Sequence, residues 1–355
     1  MASVLSSKEN MKFRWKFIAI AFLFFMLCSV SLYIMIREFI IKTFTRSTDA
    51  LEKIIIDTDA GADDAVAILL TLKSESKGFK VIAITCSYGN TDLENVATNV
   101  LKTLTVANRS DIPVYKGAHR ALIYNHKFGS FFGSDGFGDF NFTEKIIAKV
   151  DESKHAAVAL VDLAKQYPGE ITLLSLGPST NVATAIALEP SFLKYLKNHV
   201  ILGGSVSGVG NVLPNIEFNF YLDPEGNYMI LNKTQKSILF PWETVLKSHI
   251  SVDWRKNVLG KLKSDIVDFL NKAERVSLSN SNSWTTSDGM AAAVMIWPEL
   301  ITQSIETNVS PVLDGLARGS ILVDYTNLTT REKNARIVQS FNASAFQELL
   351  LEKFS

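Results

Sequence analysis

From residue 53 onward, apolar residues come in short unbroken runs separated by longer stretches with helical spacing. Lys53 to Ile56, Val81 to Asn90, Glu170 to Leu176 and His199 to Ser205 each hold a mostly apolar run closed by a polar residue or glycine. Runs of that length, apolar at successive positions, read as strands buried on both faces. Between them, the Ala/Val/Leu run after Gly61, Leu93 to Ala107, Ala156 to Gln166 and Asn181 to Leu188 read as helices. Ile112 to Ala118 is a short strand or turn. Gly129 to Asp139, rich in glycine and phenylalanine, predicts a mobile loop over a site. Ser320 to Tyr325 and Ala335 to Phe341 are β-like, and Ala343 to Phe354 is an amphipathic helix. Alternation of strand and helix predicts an α/β fold, a mostly parallel central sheet with helices on both faces. Such sheets bind ligands beyond the C-terminal ends of their strands, where Asp59, Asn90, Leu176 and Gly203 all fall.

The N-terminal pattern is different. Residues 17–36 contain no charged side chain. As a helix, about 20 residues span roughly 30 Å, the thickness of a bilayer core. Lys8, Lys12, Arg14 and Lys16 precede the run, which orients residues 1–16 toward the cytoplasm. The expectation is a single-pass type II signal anchor, a linker over 37–52 and a catalytic domain over 53–355, lying in the secretory pathway. A cleaved signal peptide and a secreted product are the alternative, although the run is long for one and no small-x-small site closes it. Asn-x-Ser/Thr triplets at Asn108, Asn141, Asn232, Asn308, Asn327 and Asn342 agree with either.

Composition narrows the function. The 355 residues carry 36 basic and 36 acidic side chains. That balance argues against a nucleic-acid partner, which requires a basic face. Two cysteines, Cys28 and Cys86, provide no disulfide framework.

The chemistry concentrates in KIIIDTDAGADDAVAILL, Lys53 to Leu70, where Asp57, Asp59, Asp63 and Asp64 crowd the junction of a strand and a helix. A helix N-terminus stabilises one carboxylate by about 1 kcal/mol, too little to hold four together. Carboxylates so close share protons or share a cation. All-oxygen ligation favours Ca²⁺ or Mg²⁺ over zinc. Each aspartate alone also fits a turn or helix cap.

DTDAGADDAVAILL closely resembles the N-terminal signature of the nucleoside hydrolases, the inosine–uridine-preferring N-ribohydrolase family. GNVLPNIEFNFYLDPEG (Gly210 to Gly226) and SWTTSDGMAAAVMIWP (Ser283 to Pro298) continue the match in the family's order. The resemblance covers roughly residues 53–355. It implies a Rossmann-like sheet, hydrolysis of a ribonucleoside to free base and ribose, and a homodimer or homotetramer. It also implies Ca²⁺ held by Asp59, Asp64, Asp288 and the carbonyl of Leu176, with Asp59 as general base toward water. Asp63 and Asn90 correspond to residues that grip the ribose diol, and Asn211, Glu217 and Asn219 to residues that hold the rest of the sugar. Asp57 buttresses the site from behind.

Assistance to the leaving base is where this chain departs from the pattern. The inosine–uridine type places a histidine before the late aspartate, and here that residue is Ser287. Phe132 replaces a second histidine in the glycine-rich loop, and neither His119 nor His126 fits the motif. Phe131, Phe132, Phe137, Trp242 and Trp284 are candidates to stack on the base instead. Two rival readings follow. One is a membrane-tethered nucleoside-binding protein without turnover. The other is a haloacid dehalogenase-type phosphatase that opens with the same strand and DxD.

Overall fold

A computed structural model describes residues 25–26, 28–37, 51–127, 129–232 and 236–355. Its residues divide into two units, Met1–Leu51 and Glu52–Ser355. In the larger unit, β1 (Glu52–Thr58), α1 (Ala62–Lys73), β2 (Phe79–Cys86), α2 (Leu93–Val106) and β3 (Val114–Lys116) come first. Next are α3 (Ala156–Gln166), β4 (Ile171–Ser175), α4 (Thr180–Leu188) and β5 (Leu196–Leu202). The short helices α5 (Phe218–Leu222) and α6 (Pro224–Leu231) precede β6 (Ser237–Phe240), α7 (Trp242–Lys247) and α8 (Val252–Asn257). The chain ends with α9 (Asp265–Ala273), α10 (Ser287–Ile296), β7 (Ile301–Thr307), β8 (Val309–Pro311), β9 (Ile321–Val323), β10 (Ala335–Phe341) and α11 (Ala343–Phe354).

Eight strands form one sheet in the order β3-β2-β1-β4-β5-β6-β10-β7, and β8 pairs with β9 separately. Every neighbour pair in the large sheet is parallel except β10 with the edge strand β7. The α/β architecture expected from the alternation is therefore present. Strand order reverses between β1 and β4, and the crevice that opens at such a reversal is where these sheets bind ligands.

Side-chain alternation along β1 builds both layers. Ile54 and Ile56 pack with α1, α2, α9, α10 and α11 on one face, while Ile55 packs with α3, α4 and α6 on the other. All three are at most 2% exposed, and burying each contributes about 1.5–3 kcal/mol. Helix α1 is buried along its whole length apart from Lys73, as a helix apolar all round must be. The two aspartates of its first turn are consequently carried into the interior.

Two expectations are corrected. Among the described residues, no helix is long and apolar enough to cross a membrane. Residues 17–24 and 27 of the expected anchor lie outside the described residues. The described residues 25–26 and 28–37 are helical. The type II topology and the secretory location that rested on it do not stand, and the Asn-x-Ser/Thr triplets lose their support. Gly129 to Asp139, expected as a mobile cover, is partly a packed element. Phe137 is fully buried, with its ring 5.5 Å from that of Phe269. Asp135 and Asp139 pin the turn by accepting backbone N–H bonds from Phe137, Asp139 and Asp135.

Candidate active site

The loop from β1 to α1 is built around Asp64. Its Oδ1 accepts the Thr58 hydroxyl at 2.5 Å, and its Oδ2 accepts the Gly61 N–H at 2.8 Å. The backbone reverses through Ala60 at φ 32°, a left-handed conformation unusual for alanine, and Thr58 Oγ1 accepts the Ala60 N–H. Asn99 adds a side-chain N–H to the Ala60 carbonyl. This closed loop places Asp59 and Asp63 on the pocket side and Asp57 behind them. Asp57 accepts Thr85 Oγ1–H at 2.6 Å and Asn181 Nδ2–H at 2.8 Å. It does not line the pocket.

Asp288, on the first turn of α10, completes the acidic group from the far end of the chain. One carboxylate oxygen from each of Asp63, Asp64 and Asp288 lies within 4.8 Å of the others, all three residues being buried. Asp63 Oδ1 and Asp288 Oδ1 are buried without a hydrogen-bond partner. Burial pushes the carboxyl of Asp288 well above the ordinary range, and the charges of Asp63 and Asp64 add to it. Burial followed by the charge of Asp64 does the same to Asp59, and burial with Asp63 raises Asp64 to about 8. Burial also raises Asp63 and takes Asp57 to about 6. A cluster this unfavourable when charged, with two orphaned oxygens, fits a hard divalent cation. The tightest trio contains Asp63, not Asp59, so the ligand set expected from the resemblance and the closest geometric cluster differ by one residue.

Asp63 and Asp288 of the trio, but not Asp64, border a pocket of about 440 Å³, a volume typical of small-molecule sites. Asp59, Asp63, Asp288 and Leu176 line it, as do the expected sugar residues Asn90, Asn211, Glu217 and Asn219. Asn90 donates its N–H to Asp59 Oδ2 at 2.8 Å, which fixes the carboxylate's direction. Asn219 Nδ2 donates to the Leu176 carbonyl at 2.6 Å. Glu217 also caps α5, accepting N–H groups from Asn219, Phe220 and Gly204, and burial raises its carboxyl. Strands β1, β2, β4 and β5 thus converge their C-terminal ends on one crevice.

The aromatic candidates separate. Phe131, Phe132 and Trp242 line the pocket; Phe137 and Trp284 do not. Trp284 is 3% exposed, and its indole N–H donates to the buried Glu274 at 2.5 Å. Stacking on a base is therefore withdrawn for Trp284, whose ring already lies against Trp254 and the Arg255 guanidinium. Ser287 does line the pocket, with its hydroxyl donated to Asp63 Oδ2 at 2.9 Å. Missed from the sequence were Val212, Phe218 and Leu246, and the hydroxyls of Ser281, Ser283 and Thr285. The last three had a signal: in SNSWTTS every second residue from Ser281 faces the pocket, while Trp284 and Thr286 are buried away from it. That is the period of extended chain.

Residues 54–348 match the family model described as inosine-uridine preferring nucleoside hydrolase. The chain belongs to this family. A probable uridine nucleosidase of rice is 39% identical over 49% of the chain and 53% of its own length. The matched part thus spans about half of that plant relative. The pyrimidine-specific ribonucleoside hydrolase RihA of Escherichia coli is 29% identical over 84% of the chain and 97% of its own length. Among solved structures, a plant nucleoside hydrolase superposes with a TM-score of 0.79 at 27% identity, covering 86% of this chain and 99% of its own. The family membership, the mostly parallel sheet and the acidic cluster at its C-terminal edge agree with one another.

Proposed function

We propose that this chain hydrolyses the N-glycosidic bond of ribonucleosides, releasing free base and ribose, with calcium as its metal. The supporting observation is the buried carboxylate group itself. Residues from opposite ends of the domain meet with two unpaired oxygens beside a pocket furnished with amides and carboxylates for a polyhydroxylated ligand. Asp59, Asp64, Asp288 and the Leu176 carbonyl would hold Ca²⁺, with Asp63 close enough to share it. The bound ion would offset the carboxylate charges and increase the acidity of water beside it. Asp59, aligned by the Asn90 N–H, takes a proton from the attacking water as the water oxygen joins C1′ and the bond from C1′ to the base breaks. Asp63 and Asn90 hold the 2′- and 3′-hydroxyls, and Asn211, Glu217 and Asn219 hold the remainder of the sugar. Each is an amide or carboxylate that can pair with a hydroxyl.

The phosphatase reading requires the first aspartate of DxD as the nucleophile. Asp57 lies outside the pocket and is occupied by Thr85 and Asn181, which argues against it. Two relatives are named for uridine or pyrimidines and a solved one, 28% identical, for inosine and guanosine, so uridine and inosine are the first substrates to test. Purified protein is incubated with uridine, inosine, adenosine or guanosine and Ca²⁺, and free ribose is measured. Ribose release that stops with a chelator and falls at least a hundredfold in Asp59→Asn supports the proposal. A nucleoside-dependent rise in melting temperature without any ribose would leave a binding protein instead.

A further inference from the structure

A departing nucleobase needs a proton, or it leaves as an anion. No histidine lines the described pocket, and Ser287 has its hydroxyl directed to Asp63. Of the other pocket hydroxyls, Ser281 Oγ donates to the Ser283 carbonyl. Ser283 is different: its Oγ lies 2.9 Å from Nδ1 of His249, closer than its other partner, the Ile250 carbonyl at 3.4 Å.

The pair is held by a short antiparallel ladder. Ser251 bridges Ser283, the Trp284 N–H donates to the Ile250 carbonyl at 2.7 Å, and the Val252 N–H points to Asn282. Trp284 is itself anchored on Glu274. Ser283 is therefore fixed with its side chain toward the pocket and its neighbour's toward the core. The His249 ring is exposed to bulk water while its Nδ1 addresses a hydroxyl on the pocket wall.

We infer that Ser283, coupled to His249, delivers the proton taken up by the departing base; this rests on the nucleoside hydrolysis proposed above. As the bond from C1′ to nitrogen breaks, its electron pair passes to the base. The Ser283 hydroxyl proton transfers to the base, and the imidazolium Nδ1 proton transfers to Ser283 Oγ. Serine is restored, the imidazole is left neutral, and the exposed ring recovers a proton from solvent. Asp59 returns the proton it took from the attacking water to solvent, which closes the balance. His249 acts through Ser283 and does not touch the base.

The test compares two leaving groups in the full-length protein. Uridine needs protonation, whereas 4-nitrophenyl β-ribofuranoside releases a stabilised phenolate. His249→Ala and Ser283→Ala are each expected to lower kcat on uridine about a hundredfold, the usual scale for a lost general acid. Cleavage of the nitrophenyl riboside stays within about twofold, and added imidazole restores part of the uridine rate to His249→Ala alone. Equal loss on both substrates, with no rescue, would mean a structural role and overturn the relay. An unchanged uridine rate in both variants would overturn it too, leaving hydrolysis itself intact. Failure of the unsubstituted protein to cleave either substrate would instead remove the hydrolysis on which the relay rests.

Discussion

At the scale of single residues, Asp59 depends on what its neighbours lack. A Cβ at Gly89 would sit 2.0 Å from Asp59 Oδ2 and 2.6 Å from its Cγ, far inside contact distance. Gly89→Ala must therefore turn the Asp59 carboxylate away from the Asn90 N–H. Asp59 Cβ would also lie only 2.6 Å away, so rotation of the carboxylate alone cannot relieve the clash and the backbone around Asp59 must move as well. Ribose release is expected to fall at least tenfold, with a lowered melting temperature. A normal rate would show that Asp59 need not keep its observed direction. The acidic residues were legible in the sequence because turn and cap preferences favour one or two carboxylates at a strand–turn–helix junction, not four. Trp284 was not, since its partner Glu274 lies on the far side of an irregular segment whose path the sequence does not announce. His249 was hidden for the same reason: only the ladder between residues 250–252 and 282–284 brings it to Ser283.

Elements were legible where burial was two-sided. Strands β1 and β4 are nearly continuous apolar runs whose expected limits lie within two residues of the observed ones. By contrast, β2 ends at Cys86, four residues before its expected limit, and β5 begins at Leu196, three residues early, with Lys197 and Asn198 exposed. Strand β7, ITQSIET, is an edge strand with most side chains half-buried or exposed, and no period-two pattern marked it. Strand β6 has only four residues, too few for any period. The sheet interior also holds a polar element the apolar pattern conceals. His199 on β5 is 2% exposed, between Ser175 Oγ on β4 at 2.9 Å from Nε2 and Ser237 Oγ on β6 at 3.3 Å from Nδ1. Burial lowers its pKa from 6.5 to about 3. The unfolded chain therefore binds a proton at this residue as pH falls below about 6.5, and the native state does not until about 3. The stabilisation is present above 6.5 and is lost progressively toward 3, by at most about 1.4 kcal/mol per pH unit. His199→Gln keeps a hydrogen-bonding side chain without the titration. Its melting temperature should decline less steeply between pH 6.5 and 4 than that of the native protein, and parallel curves would show that His199 does not contribute.

For the whole molecule, the acidic cluster joins the two ends of the domain. Asp63 and Asp64 open α1, near the start of the first βα unit, and Asp288 opens α10, which packs directly on α1. Without a cation, several buried carboxylates face one another at this contact, and burial with their mutual repulsion raises their pKa values. A cation that binds only the folded arrangement stabilises it by RT ln(1 + [L]/Kd), about 2.7 kcal/mol at a hundredfold excess over Kd. In a domain of this size that is a rise of several degrees in melting temperature. Adding Ca²⁺ to chelator-treated protein should therefore raise the transition measurably. Asp288→Ala removes one wall of the cluster together with part of the like-charge repulsion. The variant should melt at or above the temperature of the cation-free native protein, yet gain little from Ca²⁺. Melting temperature measured against calcium concentration reads both effects. A native protein indifferent to calcium would remove the ion from the proposed site. An Asp288→Ala variant with the full calcium response would place the ion elsewhere, and the union of the two ends would then rest on packing between α1 and α10 alone.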